Sequence, residues 1–336
     1  MPAPGAEGLE KLEDMIVRAA ETTAVHIRAA KSSIGAVIFG QEQVVERALI
    51  TVLSGGHGLL VGVPGLAKTK LVDTMGIALG LDARRIQFTP DLMPSDILGS
   101  EVLEESPGAK RSFRFIAGPI FAQLLMADEI NRASPRTQSA LLQAMQEHHV
   151  TVAGVRHDLP KPFHVLATQN PLEQEGTYPL PEAQLDRFLM QIDVDYPDRE
   201  AERRILFDTT GAEETRPKQA MSADDLTAAQ RLVRRLPVGE SVVDAILALV
   251  RSARPGPDAG ETAKLIAWGP GPRASQALML AVRARALLDG RFAPSVDDVI
   301  ELAEPVLKHR MALTFAARAE GETIEAVIAR IKTRIG

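Results

Sequence analysis

The chain has no cysteine. Disulfide frameworks, thiol catalysis and cysteine-based metal sites are therefore excluded. It has no apolar run near the roughly 18 residues that a membrane-spanning helix needs, so no span is expected. It has no basic surplus either. The formal net charge is -6, which speaks against a dedicated nucleic-acid binder, because such proteins carry basic faces. A local basic surface inside an assembly stays open. The opening stretch MPAPGAEGLEKLEDM mixes in acids where a secretory leader wants a basic start and then an apolar block. No leader is expected, and the cytoplasm is the simplest location. Internal repeats and low-complexity tracts are also missing.

What is present is a long, apolar-rich chain. With 336 residues, 45% of them hydrophobic, it can bury a sizeable core and is comfortable as two domains. Residues 9–33 carry apolar side chains at helical spacing, which predicts one or two helices. Gly40 and Gln41 precede QVVERALITVLSGG, a helix stopped by paired glycines. GLLVGV (58–63) reads as a strand and KTKLVDTMGIALG (68–80) as a helix. The stretch from Gln87 to Ala117 is less regular. In it SPGAK (106–110) reads as a turn between the hairpin strands EVLEE and SFRFI. LLMADE (124–129) is an apolar strand ending in two acids, and Ser134-Pro135 opens a helix with Ser as N-cap. HVTVAGVRHDL (149–159) predicts a second hairpin, FHVLATQN (163–170) a strand, PEAQLDRFLM (181–190) a short helix and QIDVDY (191–196) a strand.

Beyond Pro197 strand signals vanish. Amphipathic helices are expected at about 199–209, 222–235, 241–253, 273–289, 296–310 and 321–334. The expected organisation is a helical extension over 1–35, an α/β nucleotide-binding domain over 36–208, a polar linker over 209–221, and a helical domain over 222–336.

The chemistry begins at GVPGLAKT (62–69), one letter short of G-x-x-x-x-G-K-[ST], with Ala67 where the second glycine would stand. A phosphate needs inward-pointing N–H groups, a helix N-terminus behind them and a cation. Gly62 and Gly65 would supply the turn, Lys68 would reach the outer phosphates, and Thr69 would place its hydroxyl on Mg²⁺. A methyl at Ala67 is tolerable at negative φ and matters at positive φ. Alone, the loop could equally be a structural Gly/Pro turn. Its place between a strand and a helix favours the phosphate reading. Asp128 and Glu129 end an apolar strand sixty residues after Lys68, and strand carboxyl ends form the ligand crevice of a parallel sheet. Asp128 would hold Mg²⁺ through water and Glu129 would polarise an attacking water. In isolation the pair reads as an acidic helix cap. Asn170 ends the next apolar strand and could orient that water, or could simply be a turn asparagine before proline.

With these blocks in order, the sequence resembles the MoxR family of AAA+ ATPases, in the clade with an insert in its second helix. GVPGLAKT, MADEINRASPRTQSALLQAMQE, VLATQNP and PLPEAQLDRF carry the resemblance, which runs from about Gly40 to the C-terminus. It implies an α/β P-loop NTPase core, a parallel sheet with flanking helices and inserted hairpins, followed by a smaller all-α lid. In that family alanine before the P-loop lysine is an accepted letter. The loop Gly62, Val63, Pro64, Gly65, Leu66, Ala67, Lys68, Thr69 and Lys70 would then bind ATP with Mg²⁺. Phe39, Gly40 and Gln41 match the segment lining the adenine pocket. Arg187, in LDRF, matches the arginine finger that reaches a neighbouring subunit's γ-phosphate, and Arg273, in GPGPRASQAL, matches the sensor-2 arginine of the lid. Here Gly271 stands where the common pattern has Ser before Pro272; glycine is still a tolerable N-cap. Whether Arg273 serves its own subunit's nucleotide or a neighbour's stays open. Residues 94–117 match the helix-2 insert and 149–159 the hairpin before sensor 1, both candidate substrate elements. Metal binding at His148-His149 lacks a matching ligand cluster, and a helix end is the simpler role.

The resemblance implies a homo-oligomeric ring, expected to be a hexamer, that uses ATP hydrolysis to remodel a protein client. Partners with von Willebrand factor A domains, and maturation or metal and cofactor insertion, are implied in the same way. The rivals are a chelatase-like motor subunit, a nucleic-acid-remodelling motor, and a scaffold gated by nucleotide without hydrolysis. The presence of both Glu129 and Arg187 argues against the last.

Overall fold

The structure is a computed structural model. It describes residues 6–104, 112–173, 175–211, 215–256 and 260–335, without the side chains of residues 6–17 and 19. Helix α1 (Ala6–Gly35) is one continuous helix. Its positions Ala20, Ala24, Ile27, Ala30 and Ile34 recur at helical steps and are all buried. Helix α2 (Glu42–Leu53) ends at Ser54, where Gly55 turns the chain at φ +75°.

The central unit starts with β1 (Gly58–Val61), α3 (Lys68–Leu79) and β2 (Ala83–Gln87). The sequence reading had no strand over 83–87. The motif ARRIQ buries only Ile86, so its apolar signal is too thin to stand out. Short α4 (Pro94–Leu98) leads into the antiparallel hairpin β3 (Gly99–Glu104) and β4 (Ser112–Ala117). The expected turn SPGAK (106–110) falls outside the described residues. Then follow β5 (Leu124–Asp128), α5 (Pro135–Glu147), the hairpin β6 (His149–Val152) with β7 (Val155–Asp158), and β8 (His164–Gln169). Ser134 caps α5 by accepting from Thr137 N–H, as Ser-Pro predicted. His148 is the left-handed C-cap of α5, at φ +54°.

Helix α6 (Glu182–Leu185) is much shorter than the expected helix over 181–190. Met190 is drawn instead into β9 (Met190–Asp193), where it pairs with Gly58 of β1. The strand order is β2-β5-β8-β1-β9, with every neighbouring pair parallel. Successive residues face opposite sides. Leu124 and Met126 of β5 join one core cluster, whereas Leu125 and Ala127 join the other. The first cluster also takes in α1, α2 and α3 and continues into the C-terminal helices; the second packs α5 and the hairpin side.

The C-terminal part contains α7 (Arg199–Thr210), α8 (Ala223–Val233), α9 (Glu240–Ser252), α10 (Glu261–Lys264), α11 (Pro272–Leu288), α12 (Val296–Leu307), α13 (Phe315–Ala319) and α14 (Ile324–Lys332). Ser222 with Asp225 and Ser295 with Asp298 form capping boxes that start α8 and α12. Between α7 and α8, Ala220 and Met221 donate to Ala78 O at 2.9 and 3.1 Å, which docks this segment on α3. Contrary to the strand-free expectation, β10 (Ile266–Trp268) pairs antiparallel with β11 (Ala312–Leu313). Each is too short to register as a strand alone, and tertiary packing brings the two together.

Three histidines are buried where they must stay neutral. His57 accepts from Val165 N–H at 2.9 Å and bonds Met145 O at 3.2 Å. His164 bonds Gly56 O at 2.9 Å and meets Gln230 of α8 at 2.9 Å. His309 bonds Phe188 O at 3.1 Å. Burial, the largest cause in each case, pushes His57 down to about 3, His164 down to about 4, and His309 well below the ordinary range. The unfolded chain therefore binds more protons than the fold below the ordinary histidine pKa of about 6.5. Stability should be flat above that pH and fall by about 1.4 kcal/mol per pH unit for each histidine as pH drops below it. Urea midpoints from pH 7.5 to 5 measure this, and His164→Asn should lower the slope by about one proton.

Candidate functional site

Parallel pairing carries the carboxyl ends of β1, β5 and β8 to one edge of the sheet. The loop 62–67, the acids at 128–129 and Asn170 meet there. Loop residues 64–67, the two acids and Asn170 line a cavity of about 450 Å³ together with Lys68, Thr69, Lys70, Arg85, Gln87 and Thr168. Gly65, Leu66, Ala67 and Lys70 also line a second hollow of about 120 Å³, walled by Val37, Ile38, Phe39, Gln41, Pro197 and Ile205. A polar cavity at a helix N-terminus that shares Gly65, Leu66, Ala67 and Lys70 with an apolar slot fits a polyphosphate joined to a flat base.

The loop is shaped by close packing. A Cβ on Gly62 would lie 2.5 Å from Val194 O, and one on Gly40 would lie 2.3 Å from Ala201 Cβ of α7. Gly40 also sits at φ +68°, so glycine is required there twice over. Gln41 is buried and donates to Leu66 O at 3.2 Å, tying the apolar slot to the loop. Ala67 adopts φ +56° as the N-cap of α3, not the negative φ at which its methyl would be free. The loop bends left-handed before the helix begins, so alanine carries a strain that glycine would not. Lys68 Nζ donates to the carbonyls of Gly62 and Val63, curling over the loop. Burial pulls its pKa down, while the Asp128 and Glu129 carboxylates push it up.

The acids are held from three sides. Thr168 Oγ1 donates to Asp128 Oδ1 at 2.6 Å and accepts from Glu129 N–H at 2.8 Å. Arg85 donates twice to Asp128 Oδ2, at 2.5 and 3.1 Å, and once to Gln87 Oε1 at 2.8 Å. Gln87 Nε2 and Arg132 Nη1 donate to Glu129 Oε2 at 2.8 and 3.2 Å. Glu129 itself lies at φ +55°, a second non-glycine residue in the left-handed region. Asn170 Oδ1 accepts from Leu172 N–H at 3.1 Å, as a turn asparagine does. No bond within the described residues takes its amide nitrogen, and the side chain lines the phosphate cavity. The donor set suits Mg²⁺, with a carboxylate and a hydroxyl at the mouth of a phosphate cradle. The Arg85 guanidinium pairs with Asp128 at the edge of this donor set, Nη2 to Oδ2 at 2.5 Å.

The sequence-predicted arginines are elsewhere. Arg187 and Arg273 line a separate cavity of about 280 Å³ that shares no residue with the two just described. Pro272 opens α11 with Gly271 as an N-cap lacking a side-chain bond, and Arg273 in that first turn reaches Asp186 at 3.6 Å. Sequence reasoning missed Arg85, Gln87, Thr168 and Arg310. The first two sit on the unrecognised strand β2. Thr168 stands two residues before Asn170 in the quoted ATQNP and faces the acids by strand alternation.

Residues 57–190 match the model of the ATPase family associated with various cellular activities, and 259–331 match the AAA lid domain. The chain is 43% identical to Chaperone MoxR1 of Mycobacterium tuberculosis, over 98% of this chain and 84% of that one. It is 32% identical to Protein MoxR of Paracoccus denitrificans, over 88% and 91% respectively. A crystal structure of an ATPase candidate from Cytophaga hutchinsonii superposes with a TM-score of 0.87 at 37% identity, covering 99% of each chain.

Two substitutions probe the site. Thr168→Val keeps the shape but strands the Glu129 N–H, and should cost about 1–3 kcal/mol of stability in a urea titration. It should also lower ATP turnover at least about tenfold, because Asp128 and Glu129 lose their shared anchor. Ala67→Gly should leave turnover unchanged and shift stability by no more than about 1 kcal/mol, since released strain offsets added backbone entropy.

Proposed function

The chain belongs to the MoxR family of AAA+ ATPases and hydrolyses ATP, and on that premise we propose that it works as a hexameric ring with its ATP sites between subunits. Hydrolysis there drives chaperone-like remodelling of a protein client in the cytoplasm. The observation that carries this reading is the separation of two half-sites. The phosphate cavity contains Lys68, Asp128 and Glu129 without Arg187 or Arg273, and the arginine cavity contains Arg187 and Arg273 without a phosphate loop. Each is half of what phosphoryl transfer needs, and a head-to-tail ring joins them.

In this reading Lys68 and the loop N–H groups bind the β- and γ-phosphates. Thr69 and Asp128 would hold Mg²⁺, which would supply positive charge to offset that of the phosphates. Glu129 polarises the attacking water, and the amide of Asn170 orients it. Arg187 enters from the neighbouring subunit, with Arg273 beside it, and meets the charge that develops on the γ-phosphoryl group. The shared cavity and the Arg273–Asp186 pair support delivery of both arginines from one subunit to the next. Phe39 and Gln41, which wall the apolar slot, seat the adenine, and Gly40 between them turns the chain at φ +68°.

The chaperone role rests on the name of the relative Chaperone MoxR1. Exposed apolar side chains on the β3–β4 hairpin, Phe113 foremost at 71% exposure, support client contact there. A von Willebrand factor A partner, and maturation or metal and cofactor insertion in the client, follow from the family resemblance.

The test is hydrolysis per subunit as protein concentration rises, with Glu129→Gln and Arg187→Ala alone and mixed. Specific activity should climb with concentration, each variant should fall at least about a hundredfold, and the mixture should regain a measurable fraction. Flat activity with Arg187→Ala equal to the parent would reject the shared site.

A further inference from the structure

The segment carrying Arg187 leaves helical geometry after Leu185. Its carbonyls at 186, 188 and 189 therefore cannot all be satisfied within a helix. They are satisfied from the C-terminal helical region by Arg310, which follows α12 in a 3-10 turn and is only 2% exposed. Arg310 Nε donates to Asp186 Oδ1 at 2.8 Å, and Nη2 to Asp186 O at 3.2 Å and Phe188 O at 2.5 Å. Nη1 donates to Leu189 O at 3.1 Å and to Val306 O of α12 at 2.5 Å. A guanidinium has five N–H groups, and all are used. Four of the five acceptors flank Arg187. The adjacent His309 adds a bond to Phe188 O at 3.1 Å.

Among the described residues no hydrogen bond holds the Arg187 side chain. Its Nε is buried without a hydrogen-bond partner. Its position comes from the backbone on either side, and that backbone is what Arg310 holds. Asp186 joins the second arginine to the same point, with Oδ1 on Arg310 and Oδ2 3.6 Å from Arg273. We infer that Arg310 is a positioning residue for Arg187, a buried strut that fixes the arginine-bearing segment to the helical lid so that lid and Arg187 move together. The inference rests on the reading that Arg187 completes a neighbouring subunit's site.

That dependence gives a test with a direction. Arg310→Gln should lower hydrolysis about ten- to a hundredfold, the range a displacement of about 1 Å produces, while ADP binding by calorimetry stays within about twofold, because the phosphate cavity is elsewhere. Mixed with Glu129→Gln subunits, which keep a sound arginine half, Arg310→Gln should regain activity. Mixed with Arg187→Ala subunits, it should regain none, because both lack the same half. Arg310→Lys keeps the charge beside Asp186 but not the carbonyl bonds, and should show the same pattern in weaker form. Recovery with Arg187→Ala would overturn the inference, since Arg310 would then not act through Arg187. Loss of ADP binding together with recovery in neither mixture would also overturn it, as a general structural defect. If Glu129→Gln and Arg187→Ala fail to restore each other, the shared-site reading falls first and the strut falls with it.

Discussion

Parallel pairing of β1 with β8 and β9, and of β5 with β8, is the constraint on which the site depends. Parallel strands present all their carboxyl ends at one edge, and the phosphate loop, the two acids and Asn170 follow strands there. Burial on both faces makes the arrangement rigid. The strand side chains divide between two apolar clusters, one shared with the C-terminal helices and one with the hairpin side. A slip of one residue in β5 would exchange its faces and turn Asp128 away from the loop.

Around that edge the chain holds charge and strain in place. Thr168 bridges Asp128 and the Glu129 N–H, and Arg85 and Gln87 reach the same two acids from β2. Two residues, Ala67 and Glu129, stand in left-handed backbone at this cavity. Such conformations persist where surrounding bonds over-determine them. For Glu129 the Thr168 anchor is one of those bonds. For Ala67 the tight fit of Gly62 against Val194 and the start of α3 leave the loop no other course.

The cavity lined by Arg187 and Arg273 is separate from the phosphate loop. Breaking α6 after Leu185 frees the carbonyls around Arg187, and the buried Arg310 takes them up. Burying a guanidinium is expensive unless it is fully hydrogen-bonded, and this one is saturated. The helical region is thus fastened to the sheet at the segment bearing Arg187. Lys308 adds an ion pair to Asp193 at the end of β9, at 2.7 Å.

The sequence by itself determined the order of strand, phosphate loop and helix, the two acids after an apolar strand, the terminal helices and the family. Those signals are local: periodicity, capping residues and motif spacing. It did not show β2, whose pattern is polar because the sheet edge exposes it. Nor did it show the β10–β11 pair, whose strands are three and two residues long and meet only through folding. The expected helix over 181–190 failed because Met190 is claimed by β9 and the preceding carbonyls by Arg310. Only the tertiary structure decided that Arg187 and Arg273 share a cavity apart from the phosphate loop, and that Arg85, Gln87 and Thr168 surround the acids. Those are contacts between residues far apart in the chain, and no local pattern encodes which distant partner a polar side chain will meet.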